Sequence, residues 1–297
     1  MKSPAATESP PSLDPVAALR WQRMPVAQSP WLHEEVARRM AERLGWIKLE
    51  PAAWLHWAPG RGGLQSHALV TARYPKSGSF MAEVSASASS VAIKSIVKPW
   101  WNPARWRQPP CQPGLPRDGG VGMVWANMAL HAAPDPQAML AQWHRALEPQ
   151  GFLMFSCFGP DTLRELRDLY AALGWPPPAH DHTDMHDWGD MLVQAGYAEP
   201  VMDMERITLS FATPGRLLQE LRGLGRNLHR ARFQGLRGRG WQSRLEAELA
   251  DRLGDPLRLS FEIIYGHALK PTPRIKLSAQ SEVSLQDMRA MLQSGKS

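Results

Sequence analysis

The sequence feature that most restricts the fold is an alternation of short apolar runs with longer amphipathic stretches. Buried strands are predicted at 52–57, 79–84, 121–126 and 152–156. Between them the periodicity changes to that of a helix, as at 136–147, where Asp135 starts the helix and Gly151 follows its end. Strands that alternate with helices of this length form a parallel sheet that is covered on both faces. The sequence therefore predicts an α/β fold with a doubly wound, mostly parallel sheet.

The same pattern divides the chain into a lead-in, one domain and a tail. Residues 1–30 mix Ser, Pro, Ala and Thr without a period, so we expect a disordered or loosely packed lead-in. Residues 31–273 form the predicted domain, which opens with an amphipathic helix that Gly45 ends. Further helices are predicted at 161–173, 185–195, 214–224 and 241–253, and further strands at 201–209 and 259–269. Residues 274–297 are polar, and we expect a loose tail there.

Composition excludes several classes of protein. Of the 297 residues, 43% are apolar and 21% are charged, which is typical of globular domains rather than of disordered chains. The longest uncharged run, at 119–134, is shorter than the roughly 20 residues of a membrane-spanning helix, so no membrane span is expected. Two cysteines, Cys111 and Cys157, cannot form a disulfide framework, and no charged-then-apolar leader opens the chain. A reducing, cytoplasmic location is expected.

A glycine-rich turn that contains Gly60 and Gly62 follows the first predicted strand. Ligands of parallel sheets bind beyond the carboxyl ends of the strands, where glycine lets the backbone approach them. Glu83, near the end of the second strand, is an acid suited to accept hydrogen bonds from both hydroxyls of a ribose. The pattern favours a nucleotide-type site, and a turn without a ligand remains the alternative.

Longer strings resemble a known family. The segment VWANMALH at 124–131, with the segments 143–147 and 151–156, is similar to class I S-adenosylmethionine-dependent methyltransferases. More narrowly, four strings resemble the malonyl-acyl-carrier-protein O-methyltransferases of biotin synthesis: FGPDTLRELR at 158–167, DMHDWGD at 184–190, PVMDME at 200–205 and YGHALKP at 265–271. The resemblance spans about 32–271 and keeps the family's order. It implies a Rossmann-like methyltransferase sheet with a helical, basic cap at about 213–256.

The resemblance also implies S-adenosylmethionine as the cofactor. The residues expected to bind it are those that match the family's motifs: His56, Ala58, Gly60, Gly62, Glu83 and Asn127. In the family's first motif, Asp-x-Gly-x-Gly-x-Gly, His56 here replaces the acid and Ala58 the first glycine. Ala58 and Pro59 stiffen this loop, because a β-carbon disfavours positive φ and proline fixes its own φ. Retention and loss of cofactor binding are both open at this point.

The methyl acceptor that the resemblance implies is the free carboxylate of malonyl-acyl carrier protein, on the way to biotin. A carboxylate with a pKa of about 4 is ionised at neutral pH, so its methylation needs no general base. No catalytic residue is therefore required; His131 is a candidate beside its ordinary structural role. Arg226, Arg230 and Arg232 lie in a run without acids, and we expect them to bind the malonyl group and the acidic carrier protein. A solvated basic loop is the alternative.

Other interpretations also remain. A methyltransferase-like binding protein without cofactor fits the altered motif. An enzyme with another acceptor is a further alternative, since the string at 161–163 also resembles an assembly factor of respiratory complex I.

The formal charge of +6 does not require nucleic acid, and no nucleic-acid-binding module is recognised. Histidines and aspartates at 180–187 imitate a metal site, but Asp184 is predicted to cap a helix, so no metal is expected. Trp100, Trp101 and Trp106 cover either the pocket or a sheet edge.

Overall fold

A seven-stranded sheet forms the centre of the molecule. The computed structural model describes residues 12–24, 26, 28–96, 101 and 109–273. In these residues the strands are β1 (Ala53–Trp57), β2 (Gly78–Ala82), β3 (Cys111–Pro113), β4 (Val121–Ala126), β5 (Leu147–Phe158), β6 (Ala198–Phe211) and β7 (Leu257–Leu269). Their order in the sheet is β3-β2-β1-β4-β5-β7-β6. Neighbouring strands from β3 to β5 are parallel, and β7 runs antiparallel to both β5 and β6. The predicted α/β, mostly parallel fold is confirmed.

Helices cover both faces of this sheet. They are α1 (Pro15–Arg23), α2 (Trp31–Arg43), α3 (Pro59–Gly62), α4 (Ser66–Arg73), α5 (Ala86–Ile96), α6 (Pro136–Ala146), α7 (Arg164–Ala172), α8 (Met185–Gln194), α9 (Pro214–Leu224) and α10 (Arg239–Arg252). Three starts are set by local chemistry: the side chains of Asp135, Asp184 and Thr213 accept backbone N–H groups of the first turns of α6, α8 and α9. The predicted cap at Asp184 is confirmed.

Alternating side chains of the central strands bury two separate cores. Trp54 of β1 and Met123 of β4 pack with α2 and α4 on one face. Leu55 and Val124, their neighbours along the chain, pack with α6 and α8 on the other face. Strands with both faces buried read as continuous apolar runs, which explains why β4 was recognisable from the sequence.

The cap lies between β6 and β7, as predicted, and consists of α9, α10 and the loop that joins them. Residues 12–24 of the expected loose lead-in differ from the prediction, because they include α1, with Leu13 and Ala18 fully buried. Leu13 pairs with His229 of the cap loop in an isolated β-bridge. The predicted tail at 274–297 lies outside the described residues, as do Trp100 and Trp106, and Trp101 is 69% exposed.

Candidate functional site

The loop after β1 turns sharply at Ala58. Ala58 adopts the left-handed conformation with φ 46° and ψ 49°, and Pro59 opens the short helix α3. The backbone N–H of Ala58 donates to the carbonyl of Ala82 at 2.7 Å, and its own carbonyl accepts from Gly62 at 2.9 Å. Proline at the first helical position loses no hydrogen bond, because that N–H has no partner within a helix. The loop therefore closes with alanine and proline in place.

Close contacts surround Gly60 and Gly62 of this loop, and the contact at Gly62 requires glycine. A β-carbon on Gly62 would lie 2.5 Å from the carbonyl oxygen of Asn127. A β-carbon on Gly60 would lie 2.9 Å from Oε1 of Glu83. Real β-carbons do not approach backbone oxygen this closely, so Gly62 in particular keeps the loop against the end of β4.

A cavity of about 360 Å³ opens beside this loop, at the carboxyl ends of β1, β2 and β4. We call it the loop cavity. Four of the residues predicted to bind the cofactor line it: Ala58, Gly62, Glu83 and Asn127. Its volume falls in the range of small-molecule sites.

Glu83 is the acidic group of the loop cavity. Its Oε1 accepts the backbone N–H of Gly60 at 2.6 Å. Burial raises the pKa of Glu83 above its ordinary value, while the Gly60 N–H and the nearby Arg61 guanidinium act in the opposite direction. A carboxylate has about four lone-pair positions, so one bond to Gly60 leaves capacity for further donors.

Asn127 holds the loop in place with its side chain. Nδ2 donates to the carbonyl of His33 at 2.8 Å and also to the carbonyl of Gly62. Oδ1 accepts from the hydroxyl of Ser156 at 2.6 Å. Because these contacts use both ends of the amide, Asn127 contributes to the cavity through its position rather than through free donors.

His56 lies in the core and does not line the loop cavity. It is fully buried, and its ring stacks on that of His67 at 5.7 Å between centroids. Neither ring nitrogen has a hydrogen-bond partner among the described residues. Burial, with a smaller effect of His67, lowers the pKa of His56 well below its ordinary value, so the ring is neutral at physiological pH.

A second cavity, of about 400 Å³, lies under the cap. We call it the cap cavity. Its walls include the apolar side chains of Leu218, Trp241 and Leu245 and the rings of His131, His180 and His182. Trp21 of α1 lines both cavities, so the two adjoin at this side chain. Trp21 lies in the region expected to be loose, and no sequence signal marked it as part of the site.

Four buried histidines cluster beside the cap cavity: His33, His131, His180 and His182. Their rings are neighbours, with centroids 4.7 Å apart for His180–His182, 5.8 Å for His131–His182 and 6.4 Å for His33–His131. Burial lowers the pKa of every member, to about 4 for His33. We refer to these four residues as the imidazole cluster.

Metal binding finds no support at the histidines and aspartates of 180–187. His186 is exposed on α8, and its Nδ1 lies 2.8 Å from Oδ1 of Asp184, the residue that caps the helix. Within the part of the chain that the structure describes, no group of three or more potential ligands could hold a metal ion.

The three predicted substrate arginines are not brought together. Arg226 lines the cap cavity, and its guanidinium donates to the carbonyls of Arg222 and Gly225. Arg230 donates instead to the carbonyl of Leu13 at 2.9 Å. Arg232 pairs with Asp14 at 2.8 Å, which ties the cap loop to the start of α1. Two further cap arginines, Arg222 and Arg237, line the cap cavity with Arg226.

The string at 158–167 has a structural role. Thr162 donates through its hydroxyl to the carbonyl of Glu262 at 3.0 Å and accepts from the N–H of Glu262 at 3.2 Å. Gly159 packs so tightly on Glu262 that a β-carbon would lie 2.6 Å from the side-chain carboxyl carbon. These contacts fix the turn between β5 and α7, which forms one wall of the cap cavity.

Comparison with known proteins gives close relatives over most of the chain, although no protein-family model matches it. A malonyl-acyl-carrier-protein O-methyltransferase of Gallionella capsiferriformans is 38% identical over 254 residues, which cover 82% of this chain and 86% of the relative. Proteins of the same name from Laribacter hongkongensis and Nitrosospira multiformis are 37% and 33% identical, over 83% and 84% of this chain and 86% of each relative.

Solved structures show the same fold. A Bacillus halodurans C-125 protein assigned as a methyltransferase has a TM-score of 0.52 at 15% identity, covering 80% of this chain and 100% of its own. The YcgJ protein of Bacillus subtilis has a TM-score of 0.51 at 13% identity, over 80% of this chain and 99% of its own. At these identities the likeness concerns the fold alone.

Proposed function

Because this chain belongs to the malonyl-acyl-carrier-protein O-methyltransferase family, we propose that it methylates the free carboxylate of a malonyl group carried on acyl carrier protein. The observation that carries this proposal is the pair of adjoining cavities. The loop cavity takes the methyl donor, and the cap cavity takes the acceptor. The two meet at Trp21, so both substrates can be held with their reacting ends adjacent.

The loop cavity fits S-adenosylmethionine. Ala58 already adopts the left-handed backbone that a glycine would supply, and Pro59 stands where proline needs no N–H partner. The replacements in the first motif are therefore compatible with the loop's shape. Glu83 has lone pairs available for a ribose diol, and its bond to Gly60 keeps the carboxylate in place.

When bound, S-adenosylmethionine supplies a methyl group on a sulfonium centre, which is electrophilic without further activation. The task of the chain is to orient the acceptor and to exclude water from its carboxylate. Glu83 and the glycine loop hold the donor, and the walls of the cap cavity enclose the acceptor. Because the acceptor carboxylate is already ionised, no residue of the chain would have to hold or move a proton.

Cap arginines support recognition of an acidic carrier. Arg226, Arg222 and Arg237 line the cap cavity, and the run from 222 to 241 holds six arginines and no acid. Such a surface attracts an acidic protein and steers its attached acyl group toward the cavity mouth. Arg230 and Arg232 contribute to this field from the cap loop while they bind the segment before α1.

We propose that the methylated product is used in biotin synthesis and that the protein works in a reducing compartment. Cys111 and Cys157 are both free thiols, as that compartment favours. Among the described residues, no helix has the length and apolar character to cross a bilayer.

Calorimetric titration with S-adenosylhomocysteine and a methyl-transfer assay with malonyl-acyl carrier protein test the proposal together. Binding and transfer are expected, along with rescue of a biotin auxotroph. Binding without transfer to the malonyl carrier would indicate another acceptor. Absence of binding at millimolar nucleoside would overturn the enzyme assignment and leave a methyltransferase-like binding protein.

A further inference from the structure

Neutral imidazoles line the part of the cap cavity that is nearest to the methyl donor. The chain runs from Asn127, at the loop cavity, to His131 and Ala132, at the cap cavity, within a few residues. Trp21 lines both cavities beside them. The acceptor carboxylate must lie at this junction to meet the methyl group, and His131 and its neighbour His182 are polar side chains of the adjoining wall.

The hydrogen bonds around His131 determine which of its nitrogens carries the proton. The backbone N–H of Phe158 lies 3.5 Å from Nδ1 of His131 and points at its lone pair. A neutral ring whose Nδ1 accepts has its proton on Nε2. His131 therefore offers an Nε2–H donor, and it is 5% exposed within the wall of the cap cavity.

His182 offers a second donor. It is 8% exposed, and its buried Nδ1 has no hydrogen-bond partner among the described residues. In the tautomer that carries its proton on Nε2, His182 can donate from that nitrogen. His180, the ring next to it, is not available in the same way, because its Nε2 already bonds the carbonyl of His131 at 2.8 Å.

Two arginines lie near the cluster, and beyond the effect of burial the positive charge of Arg167 helps to lower the pKa of His180 and His182. Arg167 of α7 donates to the carbonyl of His180 at 2.9 Å and lies 3.5 Å from Asp181. Arg61, from the loop side, donates to the carbonyls of Trp21 and Met24. Within the cluster, Nδ1 of His33 lies 2.7 Å from the carbonyl oxygen of Arg61.

We propose that His131 and His182 seat the acceptor carboxylate through neutral imidazole N–H groups, so that it reaches the methyl donor oriented by hydrogen bonds. The proposal rests on the methyl-transfer function above and specifies its acceptor site.

The chemistry of the transfer favours a neutral seat. The carboxylate loses its negative charge as the oxygen–carbon bond forms, so a guanidinium would stabilise the reactant more than the transition state. A neutral N–H donor also orients the oxygen, but its hydrogen bond to the charged reactant is weaker than that of a guanidinium. It therefore stabilises the reactant over the transition state by less. Neither imidazole acts as a base, because no proton leaves the acceptor.

Leucine and glutamine variants of His131 and His182 test the proposal. His131→Leu and His182→Leu remove the donor, whereas His131→Gln and His182→Gln keep an N–H near the position of Nε2. Each leucine variant is expected to raise the KM for malonyl-acyl carrier protein, and its Kd without cofactor, about 10-fold or more, the scale for a hydrogen bond to a charged group. The glutamine variants should recover most of this loss.

Cofactor binding separates the possible failures. Titration with S-adenosylhomocysteine should give the wild-type Kd in all four variants, which shows that they are folded. Unchanged acceptor KM and Kd in the leucine variants would overturn the imidazole seat while methyl transfer stands. Equal losses in the leucine and glutamine variants, with normal cofactor binding, would overturn it as well. A wild-type protein that transfers no methyl group would overturn the proposed function instead.

Discussion

Glu83 accepts the backbone N–H of Gly60 at 2.6 Å, and this bond joins the end of β2 to the loop after β1. The same carboxylate lines the loop cavity. Glu83 therefore has two roles, one in holding the loop and one in offering oxygen atoms to a bound ribose. Substitutions at this position can separate the two.

Glu83→Ala should weaken the binding of S-adenosylhomocysteine by about 1–3 kcal/mol, because hydrogen bonds to a charged group are lost. Glu83→Gln should weaken it less, since its amide oxygen can still accept from Gly60. Calorimetric titration measures both. Wild-type affinity in Glu83→Ala would show that this side chain does not contact the cofactor.

The left-handed backbone of Ala58, at φ 46°, is unfavourable for a residue with a β-carbon. An L-residue there costs about 1–2 kcal/mol, whereas glycine adopts the conformation freely. Ala58→Gly should therefore raise the free energy of unfolding by roughly 0.5–1 kcal/mol after the greater chain entropy of glycine is subtracted. Urea denaturation measures the change.

The matched control is Ala141→Gly, the same substitution in the middle of α6. Glycine in a helix interior costs about 1 kcal/mol, so this variant should lose stability. A loss of similar size in Ala58→Gly would contradict the assigned strain at Ala58.

Local patterns were sufficient for six of the seven described strands and for six of the ten described helices, whereas β3 lies in a stretch that the sequence indicated as irregular. Apolar runs and caps such as Asp184 act over a few residues, so β4 and α8 could be recognised without tertiary information. The same holds for the glycine loop and Glu83, because the chain order of strand, turn and strand places them at one sheet edge.

Contacts between distant parts of the chain were beyond sequence reasoning. Asp14 and Arg232, separated by 218 positions, together fix α1, which was expected to be loose. The imidazole cluster likewise combines His33, His131 and His180 from three separate segments. Only the short spacing of His180 and His182 was visible, and it resembled a metal site instead.

Arg226 and Arg232 should differ in function although both belong to one basic run. Arg226→Ala should weaken the affinity for malonyl-acyl carrier protein and reduce its dependence on salt, because a cation at the cap cavity is lost. Fluorescence anisotropy with a labelled carrier at several salt concentrations measures both. Unchanged affinity and salt dependence would remove Arg226 from the carrier site.

Arg232→Ala should mainly affect stability. Its guanidinium binds Asp14 and the carbonyl of His229, and both side chains of the ion pair are about one-quarter exposed. A small loss in the free energy of unfolding is expected, because exposed ion pairs contribute little. Asp14→Ala should lose more, because its carboxylate also accepts the N–H groups of Val16 and Ala17 at the start of α1. An intact stability in both variants would show that the pair does not anchor α1.

Stability should fall as the pH drops from 7 to 5, because several histidines are buried in the neutral form. Burial lowers the pKa of His33 and His67 to about 4, against 6.5 in an unfolded chain. Below pH 6.5 the unfolded chain binds protons that the native protein does not, so each such histidine lowers the free energy of unfolding by up to about 1.4 kcal/mol per pH unit. The pKa of Glu35 is lowered to about 2, and its contribution is lost only as pH falls below its ordinary value, outside this window.

Urea denaturation at intervals between pH 7 and pH 5 measures this slope. His67→Phe keeps an aromatic ring beside Trp54 and His56 but removes one titrating group. Its free energy of unfolding should therefore decline less steeply with acidification than that of the wild type, by up to about 1.4 kcal/mol per pH unit. Equal slopes in the two proteins would mean that His67 binds its proton as readily in the native state as in the unfolded chain.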